Sequence, residues 1–186
     1  MQVDEILFNA EEGMTKAVDY CQGQLGKVRT GRASASLLDG ISADFYGAMT
    51  PMQQMATISV PDARTIVIQP FDRTTLGVIE KAIQTADLGF NPQNDGNIIR
   101  ISVPPLTEER RKEYVKMTKK MAEEGKIAVR NVRRDQMEAI KKSEKDKDIS
   151  EDEKKKGEDD IQKLTDKFVK KIDEFQAAKE KELMED

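Results

Sequence analysis

The chain has 186 residues, 35% of them charged and only 5% aromatic, with no Trp and no His. Side chains so small cannot fill a thick globular core, although they can fill narrow seams between long helices. The net charge of −4, from 31 basic and 35 acidic residues, argues by itself against a nucleic-acid partner, and the missing His removes the commonest general base, the commonest zinc ligand and every Ser-His or Cys-His nucleophile pair.

Residues 2–29 place Val3, Leu7, Ala10, Met14, Ala17, Cys21, Leu25 and Val28 at steps of three and four, the stripe of an amphipathic helix. Cys21 lies in that stripe as a small core residue. Being the single cysteine, it allows no internal disulfide. Asp4, Glu5, Glu11 and Glu12 make the start too acidic for a signal or transit peptide, and no apolar run approaches the ~20 residues of a membrane span. The expectation is a soluble cytoplasmic protein that does not enter membranes.

The helix is expected to stop near Thr30-Gly31, where glycine can take a left-handed conformation. Short β-branched and aromatic runs follow at 41–46, 57–60, 65–71 and 98–103, bounded by Gly, Pro and Asp. Residues 74–86 read as a helix with Leu76, Ile79, Ala82 and Ile83 on one side, and the stretch 88–96 (LGFNPQNDG) reads as a loop. Val103-Pro104-Pro105-Leu106 ends all regular structure, since each proline lacks an N–H and restricts its neighbour.

From Thr107, read as an N-cap, a helical period returns and runs to about Asp146, a rod of order 60 Å. Glu108 and Glu109 suit the positive end of its dipole. Ser150-Glu151-Asp152-Glu153 matches a capping box, opening a last helix striped by Ile161, Leu164, Phe168, Ile172 and Phe175. The fold class is α+β: an antiparallel three-helix bundle from residues 1–30 and 105–186, with a small, mostly β, α+β head inserted at 31–104. The two crossings between domains lie side by side, and a double crossing with few constraining contacts is a natural hinge.

Charge is unevenly spread. Residues 107–149 hold 14 basic and 10 acidic groups, while the segments on either side are net acidic. Within 109–134 the count is 10 basic to 4 acidic. On a wheel of about 100° per residue, Lys112, Lys116, Lys119, Lys126, Arg130 and Arg133 form a ridge, and Tyr114, Met117, Met121, Ala128, Val132 and Ala139 form a seam opposite it. The ridge is expected to face outward. Its densest group, Arg130, Arg133 and Arg134, has the fork geometry that grips phosphates and stacks on bases.

Several stretches carry a resemblance to a known family. Lys27-Val28-Arg29-Thr30-Gly31-Arg32-Ala33-Ser34, with Leu37-Leu38-Asp39, is similar to the first linker of ribosome recycling factors. Pro104-Pro105-Leu106-Thr107-Glu108-Glu109-Arg110-Arg111-Lys112 resembles their second linker and helix start. Val129-Arg130-Asn131-Val132-Arg133-Arg134-Asp135 resembles their RNA-facing motif, and Ile149-Ser150-Glu151-Asp152 with Gln162-Lys163-Leu164-Thr165-Asp166 their last helix. Two positions depart: Ala35 stands where many members carry proline, and Gly125 where alanine is usual.

The resemblance implies an L-shaped, monomeric, non-enzymatic protein with no cofactor and no metal. It implies binding to the large ribosomal subunit RNA of a post-termination ribosome. Together with the GTPase elongation factor G and GTP, such a protein separates the subunits and releases them from messenger RNA. The residues assigned to ribosomal RNA are Arg130, Arg133, Arg134, Lys126, Lys119, Arg110 and Arg29. The hinge falls on Thr30, Gly31, Arg32, Ala33 and Ser34 in one linker and on Val103, Pro104, Pro105 and Leu106 in the other. The alternative is a non-ribosomal helical adapter or chaperone that holds protein clients along the bundle seam. A carboxylate-based hydrolase is disfavoured by the missing histidine and the lack of a glycine-rich phosphate loop.

Overall fold

A computed structural model describes residues 1–185. Its elements are α1 (Val3–Gly26), β1 (Ser42–Phe45), β2 (Ala48–Pro51), the one-turn α2 (Met52–Met55), β3 (Ala56–Asp62), β4 (Thr65–Pro70), α3 (Leu76–Thr85), β5 (Pro92–Asn94), β6 (Ile99–Ser102), α4 (Glu108–Lys145) and α5 (Glu151–Met184). They form two compact units: Met1–Thr30 with the chain from Glu108 onward, and Gly31–Thr107.

The first unit is a three-helix bundle of α1, α4 and α5. Gly13 of α1 meets Val132 of α4, and Cys21 meets Gly125, so residue numbers rise along one helix as they fall along the other. Gly157 meets Ile140 near one end of the α4–α5 pair, and Lys126 reaches Asp173 near the other, so these two helices are also antiparallel. The loop between them is too short for any other arrangement. The capping box is formed as expected: Ser150 Oγ accepts from Glu153 N at 3.1 Å, and Ser150 N donates to Glu153 Oε2 at 2.7 Å.

Two expectations for the bundle need correction. α1 ends at Gly26, not near Thr30. Gly23 and Gly26 weaken its last turn, and Val28 turns back into the core. Gly31, with φ +77°, belongs to the connecting loop and does not cap the helix. The buried stripe of α1 is Ile6, Ala10, Met14, Val18, Cys21 and Leu25, whereas Val3, Leu7 and Ala17 sit half-buried at its margin.

On α4 the buried residues are Thr118, Ala122, Gly125, Val129, Ile140 and Ser143. The seam is therefore rotated by about 80° from the one expected, and Met117 is exposed. The reason is steric. α4 packs on both α1 and α5, and around the close approach of Gly125 to Cys21 and Ile172 the line facing them holds small side chains, Thr118, Ala122 and Gly125, with Val129 and Ile140 further along. The Thr118 hydroxyl stays satisfied within the helix, Oγ1 donating to Val115 O at 2.7 Å. Cys21 Sγ donates to Met121 O at 3.5 Å, and burial pushes this thiol's pKa up, with Glu124 adding to the shift.

The second unit has a four-stranded antiparallel sheet in the order β3-β4-β6-β5, and a separate β1-β2 hairpin. Ile66 and Ile68 of β4 and Ile99 and Ile101 of β6 alternate onto one face and pack with Leu38, Ile79 and Ile83. The expected loop at 88–96 contains β5, paired from Pro92↔Ile101 to Asn94↔Ile99. A proline is tolerated there because this strand lies at the sheet edge and needs ladder bonds on one side only. The hairpin strand β2 and the turn α2 were not foreseen, because Ala48-Met49-Thr50-Pro51 carries no alternating pattern.

Candidate nucleic-acid interface

The solvent-facing side of α4 carries Lys112, Lys116, Lys119, Lys120, Arg130, Arg134 and Lys141, all exposed. The expected ridge does not sit squarely opposite the seam. Because the seam is rotated, the ridge splits into an outer row and a flank leaning on α5. Lys126 and Arg133 are on the flank. Lys126 Nζ pairs with Asp173 of α5, and its side chain is only 19% exposed. Half-buried Arg133 donates from Nη1 to Gln162 Oε1 at 3.2 Å, and Gln162 in turn donates to Asp166 Oδ1 at 2.9 Å. The expectation that Arg133 faces freely outward is corrected: it is braced by the neighbouring helix, with its guanidinium at the rim.

Arg130, Asn131, Arg133, Arg134, Met137 and Lys141, together with the carboxylates of Glu138 and Glu158, line an open groove of about 550 Å³. Helical geometry explains the convergence: Arg130, Arg134 and Lys141 recur at steps of four and seven, and Arg133 reaches in from the α5 side. Arg130 Nη1 is 3.6 Å from Glu123 Oε1, an exposed contact that a stronger anion would displace. Three guanidiniums and one ammonium thus converge on a concave, open surface. Such a set can take phosphate oxygens in bidentate fashion, and the planar groups can stack on bases.

Of the remaining expected binding residues, Lys119 lies about three turns before Arg130 on the exposed row. Arg110 lies about 30 Å away, in the first turn of α4, with Nη1 3.2 Å from Glu113 Oε2. Arg29 is exposed beyond the end of α1. None of these three, nor Lys126, lines the groove. Lys141 does line it and was missed, although its spacing from Arg134 and Arg130 would have revealed it.

The expected hinge residues are more constrained than a double crossing suggested. Within the second unit, Ala33 N donates to Ala63 O and Val103 N to Arg64 O, each at 2.7 Å. Arg64 Nη1 donates to Gly31 O. A Cβ on Gly31 would stand 3.0 Å from Leu106 N and 3.1 Å from Leu106 Cγ. The turn at Ala63-Arg64 therefore clasps both linkers. Ser34 opens a 3-10 turn, its Oγ accepting from Ser36 N at 3.2 Å. Arg32, Pro104 and Pro105 are exposed, and Thr30 belongs to the bundle unit.

A three-helix bundle with a basic groove on one face, and a separate α+β unit inserted between two of its helices, defines the class of protein. The family model for ribosome recycling factors matches residues 21–184. A ribosome-recycling factor of Nitratidesulfovibrio vulgaris (strain DP4) is 57% identical over 185 residues, covering 100% of both chains. One from Halalkalibacterium halodurans is 53% identical over 181 residues, covering 97% of this chain and 98% of its own. The chain belongs to the ribosome recycling factor family, a family of non-enzymatic translation factors.

Solved structures agree. The solution structure of a ribosome recycling factor matches with a TM-score of 0.81 at 45% identity, covering 99% of this chain and 98% of that one. Another match is to models for the T. thermophilus ribosome recycling factor and the E. coli elongation factor G bound to the E. coli post-termination complex. There the TM-score is 0.68 at 43% identity, covering 100% of both chains. Among the described residues no helix is long and apolar enough to cross a membrane.

Proposed function

We propose that this chain binds RNA of the large ribosomal subunit through the α4 face and, with elongation factor G and GTP, promotes separation of post-termination subunits and their release from messenger RNA. It acts as a monomer in the cytoplasm, without a cofactor of its own. The observation that carries this reading is the convergence of Arg130, Arg133, Arg134 and Lys141 on one groove of a net-acidic chain. Isolated surface charges are ordinary, but a concave cluster of guanidiniums is the arrangement that phosphate recognition needs. The relative bound with elongation factor G to a post-termination complex supports the choice of partners.

Energy for splitting comes from the partner's GTP, and this chain contributes binding and geometry. The chain passes from one unit to the other at Thr30-Gly31 and at Thr107-Glu108. With the linkers clasped by Arg64, the pivot narrows to those two junctions. A client-holding adapter would need an open bundle seam. That seam is filled by the bundle's own Ile6, Met14, Ile140, Ile161 and Ile172, all fully buried.

The test uses purified post-termination ribosomes. Co-sedimentation with large subunits should weaken steeply with salt, because phosphate contacts release counterions. Light scattering should report subunit splitting only when the chain, elongation factor G and GTP are all present. Binding insensitive to salt, or splitting independent of this chain, would refute the reading.

A further inference from the structure

Two cations of α4 lean on α5, and α5 meets them with different chemistry. Lys126 and Arg133 are about two helical turns apart and share one flank of α4. Asp173 and Gln162 are about three turns apart and share the facing flank of α5. Lys126 Nζ pairs directly with the Asp173 carboxylate, and Lys126 does not line the groove. Arg133 Nη1 donates to the uncharged Gln162 Oε1 at 3.2 Å, and Arg133 does line the groove. Gln162 itself is exposed and lies outside the groove lining, so any part it takes in binding runs through Arg133.

The place suits an amide. A guanidinium only donates hydrogen bonds, and an ionised carboxylate only accepts them. Gln162 accepts from Arg133 through Oε1 and donates from Nε2 to Asp166 Oδ1 at 2.9 Å, one turn further along α5. An ionised Glu cannot donate to Asp166, and Lys cannot accept from Arg133, so either would break this chain. Asp166 thereby fixes which end of the amide faces Arg133, while the amide stands between the carboxylate and the guanidinium. The brace occupies one of the five N–H donors of Arg133 and cancels none of its charge. A free arginine beside Arg130 and Arg134 would be pushed outward by like charge, and would lose rotamer entropy on gripping a phosphate. A held arginine has lost part of that entropy already.

We propose that Gln162 is a positioning residue for RNA binding: it aims the Arg133 guanidinium at the groove and leaves its charge available to a phosphate. The last helix of the bundle thus takes part in recognition without touching RNA. Asp173 takes its cation out of the interface, whereas Gln162 keeps its cation in it. The inference rests on the ribosomal reading above.

Gln162→Glu gives Arg133 the kind of partner that Lys126 has. Position 162 is exposed, and Glu and Ala are good helix formers, so Gln162→Glu and Gln162→Ala should fold with nearly unchanged thermal melts. In co-sedimentation with purified large subunits, Gln162→Glu should weaken binding about tenfold and flatten the salt dependence by about one phosphate, as Arg133→Ala does. Gln162→Ala should act in the same direction, more weakly. In an Arg133→Ala background both substitutions should change affinity less than twofold, because they act through Arg133. Equal losses with and without Arg133 would reveal a general effect of charge and overturn the proposal, as would wild-type affinity in Gln162→Glu. In the free protein, NMR should show the Arg133 guanidinium rotating about its Cζ–Nη bonds more slowly than that of Arg134, and Gln162→Ala should abolish the difference. Equal rates in the wild type would overturn the brace itself. Wild-type affinity in Arg133→Ala would instead refute the RNA reading of this face, whereas weakened binding there without coupling to Gln162 refutes only the positioning role.

Discussion

Gly125 of α4 and Cys21 of α1 are fitted to each other: a Cβ on Gly125 would stand 2.7 Å from Cys21 Sγ, 2.9 Å from Cys21 Cβ and 3.2 Å from Ile172 Cδ1. The glycine that departs from the family's usual alanine is thus matched by the residue opposite it. Gly125→Ala gains about 1 kcal/mol of helix propensity but overpacks the seam, at a cost of about 1–3 kcal/mol. We expect a net loss of stability in urea denaturation. Cys21→Ala should relieve part of it, so that the double mutant is more stable than the sum of the singles. Additive effects would mean that the seam yields without strain.

For the arginine groove, Arg130→Ala and Arg134→Ala should leave the melting temperature within error, since both side chains are exposed. Each should weaken large-subunit binding about tenfold, the worth of one charge-assisted contact, and flatten the salt dependence by about one phosphate. Arg133→Ala should weaken binding as well, with a small further loss of stability from its bond to Gln162. Lys126→Ala should show the reverse balance, because Lys126 is engaged by Asp173. Wild-type affinity in Arg133→Ala at physiological salt would remove this face from the interface.

Phe168 is buried on α5 between the bundle helices, with the ammonium groups of Lys167 and Lys171 at 5.7 and 5.0 Å from its ring centre. Phe168→Ala should cost about 3–5 kcal/mol. The loss should appear in thermal melts of the bundle, with the salt slope of ribosome binding unchanged. A change below about 0.5 kcal/mol would contradict the burial.

At the crossing, Gly31→Ala combines a positive φ with a Cβ 3.0 Å from Leu106 N, and should destabilise the inserted unit by about 1–3 kcal/mol. Two residues inserted after Leu106 are the subtler change, because Val103 keeps its bond to Arg64 and Leu106 stays against Gly31. This insertion should bind large subunits nearly normally and split ribosomes poorly. Equal losses in both measurements would indicate a damaged binding surface, and unimpaired splitting would show that the geometry of the crossing is immaterial. Ala35→Pro, which restores a common family residue at an exposed site, should have little effect on either.

Local information determined much of this protein. Apolar residues at steps of three and four, the Ser150 capping box and the prolines at 104 and 105 act within a few residues of themselves, so three bundle helices and an inserted β-rich unit were legible in the sequence. The arginine motif was legible for the same reason, as residues one turn apart on a helix share a face. Which side of α4 is buried was not. Met117, Met121 and Val132 look more like a core than Thr118, Ala122 and Gly125, yet the second set is buried while Met121 and Val132 sit half-buried at the margin and Met117 is exposed. That choice, and with it the bracing of Lys126 and Arg133 against α5 and the clasp of Arg64 on Gly31, depends on partners far away in the chain. Spacing along one segment records periodicity, whereas only the approach of α1 and α5 sets how much room each face of α4 has, leaving space for small residues at Thr118, Ala122 and Gly125 and for Val129 and Ile140 further along.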